Sequence, residues 1–233
     1  MTTARWQAGL LLLTSLVLMA PLAGCQTSVP TGTSMESPEM KVIDLPAPRT
    51  SGPIAFEQTL SQRHSVREYT DSPVSLEDIA QLFWAAQGVT RVWGGRTAPS
   101  AGALYPLEIR AAANDGVYHY LPSTHRAKIV TQDDVRQTLW AAGLKQESLR
   151  QAPVIFVITA VYDRTSGKYG ARAERYVKLE AGHAAQNLLL QAVALGLGAV
   201  PIGAFHDEDI VSALHLLPEE APLYLIPVGR PAE

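Results

Sequence analysis

The chain has few or none of the cysteines, clustered histidines and excess positive charges on which several classes of protein depend. It carries one cysteine in 233 residues, so a disulfide within the chain is excluded. Its six histidines are scattered, without a His-Glu-x-x-His motif or a cysteine and histidine cluster, so the sequence predicts no metal site. The formal net charge of −3 gives no electrostatic basis for binding nucleic acid.

The N-terminal region also lacks a hydrophobic run long enough to span a membrane. Residues 9–20 form an apolar run after Arg5, and this run is shorter than the ~20 residues that a membrane-spanning helix needs. A basic start, a short apolar core and small residues after it are typical of a secretory signal. An ordinary signal peptide of this kind, or a core segment with a buried cysteine, remains an alternative to the interpretation that follows.

The only cysteine stands directly after that run. Leu22-Ala23-Gly24-Cys25 resembles the bacterial lipobox, which implies that Cys25 is lipidated and becomes the new N-terminus. Gln26 in the next position favours attachment to the outer membrane, on its periplasmic side. We therefore predict a lipoprotein signal over residues 1–24 and a membrane attachment through Cys25.

The next segment is rich in threonine, serine, proline and glycine. Residues 25–54 show little hydrophobic periodicity, which predicts a flexible tether between the lipid anchor and the folded part. One folded domain is then expected over residues 55–233, a length that can bury a substantial core.

The folded part mixes helical and strand patterns, so the sequence predicts an α+β fold. Residues 76–87 have the hydrophobic spacing of a helix, with Ser75 at its N-terminus. Asn114-Asp115-Gly116 indicates a hairpin, because Asp-Gly tolerates positive φ. The apolar run "VIFVITAVY" predicts a buried central strand. Residues 169–197 predict a long helix that is buried nearly all round.

Two common catalytic motifs are absent. Ser100 does not lie in a Gly-x-Ser-x-Gly elbow. Gly196, Gly198 and Gly203 have the wrong spacing for a dinucleotide fingerprint, and they end a helix where that fingerprint must open one. The sequence therefore gives no basis for a Rossmann-type nucleotide site.

The stretch "RHSVREY" is the sharpest chemical signal in the chain. If it is extended, Arg63, Ser65 and Arg67 share one face, and two guanidinium groups with a hydroxyl suit a phosphate. The alternative is a solvated basic turn that pairs with Glu68 or Asp71. On this stretch alone the two interpretations stay open.

Two further stretches favour the binding interpretation. "APSAGALYP", residues 98–106, consists of small uncharged residues between two prolines, which lets a flat ring lie close to the backbone. "AVPIGAFHDED" exposes backbone at Gly203 and Ala204, at the end of a short strand. A simple turn is the alternative for the first of them.

Together and in this order, the three stretches resemble the nitroreductase-like flavoproteins. "GKYGARAERYVKLEAGHAAQN" is similar to their SagB-type branch, which contains the azoline dehydrogenases. The resemblance covers residues 56–231. It implies a mostly antiparallel sheet flanked by helices, an FMN cofactor, a homodimer with a long buried helix at its interface, and an active site at that interface.

The resemblance also implies which residues bind the cofactor. They are Arg63, His64, Ser65 and Arg67 at the phosphate and ribityl chain, Pro99, Ser100 and Ala101 from the partner subunit, Gln146 at the ring, Pro201 and Ile202 behind the ring, Gly203 and Ala204 beside flavin N5, and Arg230 at the phosphate.

Lys168 and Tyr169 resemble the Lys-Tyr pair proposed for proton abstraction in the azoline dehydrogenases. A lysine can serve as a base where burial lowers its pKa, and a tyrosine can relay or orient the proton. The alternative is that both residues merely open the long helix, with Lys168 solvated and Tyr169 packed.

The resemblance leaves three hypotheses for function. The first is an FMN-dependent dehydrogenase that takes hydride from a small-molecule or peptide substrate. The second is a reductase with NAD(P)H as electron donor, and the third is a flavin-binding lipoprotein without activity. Many nitroreductases have an asparagine within the segment that here reads Ala101-Gly102-Ala103, and an acidic residue where Gly203 stands. These departures weigh against nitroaromatic specificity.

Overall fold

The computed structural model describes residues 41–232. The helices are α1 (Phe56–Gln62), α2 (Leu76–Gln87), α3 (Arg136–Ala142), α4 (Glu147–Gln151), α5 (Asp163–Tyr169), α6 (Ala173–Ala194) and α7 (Asp207–Ala213). The strands are β1 (Val42–Asp44), β2 (Leu107–Ala113), β3 (Gly116–Leu121), β4 (Arg126–Thr131), β5 (Val154–Val161), β6 (Gly198–Ala199) and β7 (Glu220–Gly229). The predicted α+β class is confirmed.

All strands belong to one open sheet in the order β1-β4-β3-β2-β5-β7-β6, and each neighbouring pair is antiparallel. The predicted hairpin joins β2 and β3, with Ala113 opposite Gly116. Gly116 has φ +135, and a Cβ there would stand 2.2 Å from the Thr131 carbonyl oxygen, so both the backbone and the space at this turn require glycine.

β5 is covered on both faces, which explains its continuous apolar sequence in an antiparallel sheet. Phe156 and Ile158 pack on one side in a cluster with α2 and α6. Ile155 and Val157 pack on the other side in a cluster with α3, α4 and α7. Side chains that alternate along a strand thus enter two separate cores.

The helix over α2 begins as the sequence predicts. Ser75 caps it by accepting a hydrogen bond from the Asp78 amide at 3.1 Å, and Glu77 and Asp78 lie in its first turn, where the helix dipole favours acidic residues. Its buried face packs against α6.

Two predictions about the long helix need correction. It starts at Ala173, because Gly170 has φ +54 and ends α5 before α6 begins. It is also not buried all round within one chain: Val177, Ala184 and Leu188 face the core, while Leu179 is 55% exposed. A helix against one sheet buries only one side.

The predicted tether was too long at its C-terminal end. Val42–Asp44 forms the edge strand β1, paired with β4, and Leu45 is buried in the core. Gln81 fixes the backbone that follows, since its side chain accepts from the Arg49 amide at 2.8 Å and donates to the Arg49 carbonyl at 3.0 Å. The predicted signal and Cys25 lie outside the described residues.

A buried ion pair joins two strands that flank β5. Arg110 on β2 donates two hydrogen bonds to Glu220 on β7, at 2.7 and 3.0 Å, and both side chains are almost completely buried. Thr159 on β5 lies between them and donates to Glu220 at 2.8 Å. Removing either charge would leave the other buried and unpaired.

We therefore predict that Glu220→Gln lowers the free energy of unfolding by about 3–5 kcal/mol in urea titrations followed by circular dichroism. The double variant Arg110→Met, Glu220→Leu serves as the control, because it removes both charges and should recover most of the loss. A loss in Glu220→Gln below about 1 kcal/mol would contradict a fully desolvated pair.

Candidate active site

One surface cavity collects several of the predicted cofactor-binding residues. Its volume is about 390 Å³, and its walls are Arg67, Gln146, Glu147, Ser148, Val200, Pro201, Ile202, Gly203 and Ala204. The chain turns into this cavity after β6. Ile202 exchanges two backbone hydrogen bonds with Leu225 of β7, at 2.8 and 2.9 Å, which holds the turn against the sheet.

The tip of this turn leaves open space. A Cβ on Gly203 would meet no atom within 4 Å, and Gly203 and Ala204 are both exposed. Gln146 fixes the opposite wall, since its side-chain amide donates to the Ala204 carbonyl at 3.1 Å and to the Gly143 carbonyl at 3.0 Å. Gln146 thus lines the cavity, and its predicted contact with the flavin ring stays a prediction.

Residues 63–70 are held between two other parts of the chain. The Val66 amide donates to the Ala199 carbonyl at 3.1 Å, and the Thr70 amide donates to the Arg230 carbonyl at 2.9 Å. The Tyr69 hydroxyl is buried and donates to the Val66 carbonyl at 2.6 Å. Burial raises the pKa of Tyr69, so its hydroxyl stays a donor. Arg67 and Arg230 are therefore brought to the same edge of the sheet.

Contrary to the sequence prediction, the structure does not bring Arg63, Ser65 and Arg67 to one spot. Arg67 faces the 390 Å³ cavity, whereas Arg63 and His64 line a neighbouring one of about 200 Å³, and Ser65 forms a bridge with Ala199. Within residues 41–232 neither arginine forms an ion pair, so the alternative pairing with Glu68 or Asp71 is not observed.

Glu147 and Ser148 line the cavity but were not predicted. Glu147 is exposed and ionised: hydrogen bonds from Arg150 and Gln151 hold its pKa at about 2. Because Arg150 neutralises Glu147, the Arg67 guanidinium is the uncompensated charge of the cavity wall. The sequence signal for Glu147 and Ser148 was their position directly after Gln146, which was itself predicted to lie at the site.

A second group of predicted residues lies elsewhere in the chain. Ser100 precedes a 3₁₀ turn at Ala101–Ala103, and its hydroxyl oxygen accepts from the Tyr105 amide at 2.9 Å. Pro99 and Gly102 are exposed, and Gly102 has φ +65. No residue of this turn lines the Arg67 cavity.

Lys168 and Tyr169 contact this turn. A Cβ on Gly102 would lie 2.8 Å from the Tyr169 hydroxyl and 3.0 Å from Lys168 Nζ, so the ends of both side chains lie close to the backbone of the turn. The two residues end α5 rather than opening α6, and Lys168 is exposed. The burial that a lysine base requires is therefore not supplied by this chain alone.

A buried acid that sequence reasoning missed lies behind the same turn. Glu180 on α6 is 3% exposed and accepts a long hydrogen bond of 3.4 Å from Gln87 on α2, with the Ser100 hydroxyl beside it. Burial raises its pKa to about 7, against the smaller opposing effects of Ser100, Gln87 and Arg96. A glutamate within a helical apolar pattern gave no signal in the sequence.

Residues 41–232 contain no group of three or more metal-ligating side chains. Over the same range, no helix has the length and hydropathy needed to cross a membrane.

The sequence and the fold of the chain both match those of known proteins from one family. The profile of the nitroreductase family matches residues 60–230. A protein of Methanocaldococcus jannaschii described as a nitroreductase is 45% identical over 186 residues, which is 77% of this chain and 93% of that protein. A solved nitroreductase structure from Ralstonia eutropha superposes with a TM-score of 0.74 at 32% identity, covering 82% of this chain and 90% of that one.

Two more distant relatives carry functional names. The FMN reductase [NAD(P)H] of Bacillus subtilis is 26% identical, covering 76% of this chain and 66% of its own length. The microcin B17-processing protein McbC of Escherichia coli is 28% identical, covering 52% of this chain and 48% of its own length. With its family profile, its identity to a full-length relative and its sheet topology, the chain belongs to the nitroreductase family of oxidoreductases.

Proposed function

We propose that the protein is an FMN-dependent dehydrogenase of the SagB type, which removes hydride from an organic substrate. The observation that carries the dehydrogenase assignment is the contact of Lys168 and Tyr169 with the turn at Ala101–Ala103. A proton-handling pair next to this turn suits a substrate that must lose a proton as well as a hydride. The relationship to McbC, named for processing microcin B17, supports a peptide or a peptide-like small molecule as substrate.

The cavity has the chemistry that FMN requires. Arg67 offers a free guanidinium group to a phosphate, and Arg63 and Arg230 lie near the same sheet edge. The open space at Gly203 admits a flat ring beside exposed backbone. In this proposal His64 and Ser65 would contact the phosphate and ribityl chain, and Pro201, Ile202 and Ala204 would contact the ring.

Bound FMN would supply a two-electron acceptor at its N5 atom, which the protein itself lacks. The chain would contribute the rest: Arg67 would hold the anionic end, and Gln146 would keep the Ala204 carbonyl in place. Tyr169 would orient the substrate proton, and Lys168 would accept it as the neutral amine, the form that burial by a second surface favours.

That second surface is a partner subunit in our proposal. The turn with Pro99, Ser100 and Ala101 does not reach the Arg67 cavity of its own chain, so it would complete the cavity of the partner. Large apolar side chains stand exposed on the single chain, among them Trp93 at 70%, Phe56 at 61% and Leu179 at 55%. A homodimer would bury such residues.

The proposal includes attachment to a bacterial membrane. Its support is the sequence around Cys25, which resembles a lipobox and lies outside the described residues. The enzyme would then act on the periplasmic side, with the outer membrane favoured. Nicotinamide cofactors are scarce there, which favours hydride from an organic substrate over hydride from NAD(P)H.

A reductase that uses NAD(P)H is the second candidate, favoured by the relationship to the Bacillus subtilis FMN reductase. It differs from the first candidate in the electron donor, because NAD(P)H rather than an organic substrate would reduce the flavin. A flavin-binding protein without turnover is the third, and it would keep the cavity without any use for Lys168 and Tyr169.

One test of this proposal concerns FMN retention. The double variant Arg63→Ala, Arg67→Ala should bind FMN at least about 100-fold more weakly, because two charge-assisted contacts to the phosphate are lost. Fluorescence titration of FMN-free protein measures this. The control is Arg126→Ala, which removes an arginine that pairs with Asp44 at the far edge of the sheet. Undiminished affinity in the double variant would refute the phosphate assignment.

Another test separates the dehydrogenase from the reductase. On anaerobic mixing of FMN-loaded protein with excess NADPH, the flavin absorbance band should persist for minutes. Dithionite should bleach it at once, which shows that the flavin is present and reducible. Rapid bleaching by NADPH would overturn the dehydrogenase assignment and establish the reductase.

A further inference from the structure

We propose that Glu180 is a positioning residue that directs the Ser100 hydroxyl according to its own protonation. This inference rests on the proposed function, because it concerns the contact of Ser100 with FMN bound in the partner subunit. Glu180 itself is remote from solvent and would touch neither cofactor nor substrate.

The surroundings of Glu180 are polar but nearly all neutral. Gln87 contributes the 3.4 Å hydrogen bond from α2, and Ser100 lies next to the carboxyl group from the turn before β2. The charged group that acts on it is Arg96, which donates to the Gln87 side-chain oxygen at 3.1 Å and stands 4.3 Å over the Tyr105 ring. Arg96 therefore acts on Glu180 by its charge and also holds Gln87, the hydrogen-bond donor to Glu180.

The Ser100 hydroxyl has one proton and a fixed acceptor role. Its oxygen accepts from the Tyr105 amide at 2.9 Å, so its proton is free to point in either of two directions. One direction is inward to Glu180, and the other is outward, where Pro99 and Gly102 are exposed.

The charge on Glu180 selects between these directions. An ionised carboxylate can only accept, so it draws the Ser100 proton inward. A protonated carboxyl group can donate its own hydrogen to the Ser100 oxygen, which leaves the Ser100 proton free to donate outward to bound FMN. Protonation deep in the chain thus adds one hydrogen bond at the surface.

The switch operates in the neutral pH range. Burial is the largest cause of the raised pKa of Glu180, about 7 compared with 4.5 in the unfolded chain. Between these two pH values the folded chain binds more protons than the unfolded one, so the contribution of Glu180 to stability falls as pH rises through this window. A glutamine would make the same two contacts without that penalty, which points to a use for the ionisable group.

The experiment measures the dissociation constant of FMN at pH 5.5 to 8.5 by fluorescence, in wild type, Glu180→Gln, Ser100→Ala and Glu174→Gln. Glu174 is an exposed acid on the same helix, paired with Lys178, and serves as the matched control. Because the FMN phosphate also titrates, with a pKa near ~6, the readout is the ratio of each constant to that of Glu180→Gln at the same pH.

Relative to Glu180→Gln at the same pH, wild type and Glu174→Gln should bind FMN about fivefold more tightly at pH 5.5 than at pH 8.5. This is the effect expected of one hydrogen bond. The midpoint should lie near pH 7, and Ser100→Ala should show no change with pH. In FMN-free protein, the Glu180 carboxyl resonance in carbon-13 NMR should titrate with the same midpoint and be absent from Glu180→Gln.

A constant ratio in wild type, or a Glu180 resonance that titrates near 4.5, would overturn the inference and leave the proposed function intact. A pH-dependent ratio that survives in Ser100→Ala would show that Glu180 acts through its charge alone, which also overturns it. Absence of FMN binding in every protein at every pH would instead overturn the proposed function, and the inference with it.

Discussion

The site depends on how residues 63–70 are held between Ala199 and the segment after β7. Backbone hydrogen bonds from Val66 to Ala199 and from Thr70 to Arg230 join three parts of the chain that are far apart in sequence. They place Arg67 beside the turn of residues 201–204 and Arg230 next to Thr70. These hydrogen bonds hold Arg67 at the cavity, and the other charged residue of its wall, Glu147, is paired with Arg150.

Two buried glutamates have different roles, because their direct neighbours differ. Glu220 begins β7 and is paired directly with Arg110 on β2, so its charge is part of the fold. Glu180 has Gln87 and Ser100 as its direct neighbours, and together with the charge of Arg96 they offset its burial only in part, so its pKa rises to about 7. The first fixes strands together, whereas the second is able to gain and lose a proton.

Local patterns predicted most of the fold. The cap at Ser75, the Asp-Gly hairpin and the buried β5 strand each follow from short-range chemistry. The order of the three binding stretches also led to the correct family. The start of the domain was missed because Val42–Asp44 pairs with a strand far along the chain, and Glu180 was missed because only packing against α2 reveals its partners. Non-local contacts of this kind leave no periodic signal.

The central claim is that the Arg67 cavity of one chain and the turn at Ser100 of another form a single FMN site. Mixed dimers test it most directly. One subunit carries Arg63→Ala with Arg67→Ala, the other carries Ala101→Trp, and differently tagged mixed dimers are purified. We expect both parent homodimers to be colourless and the mixed dimer to hold one FMN, since one of its two sites is intact. A colourless mixed dimer, or a parent homodimer with full FMN content, would contradict the claim.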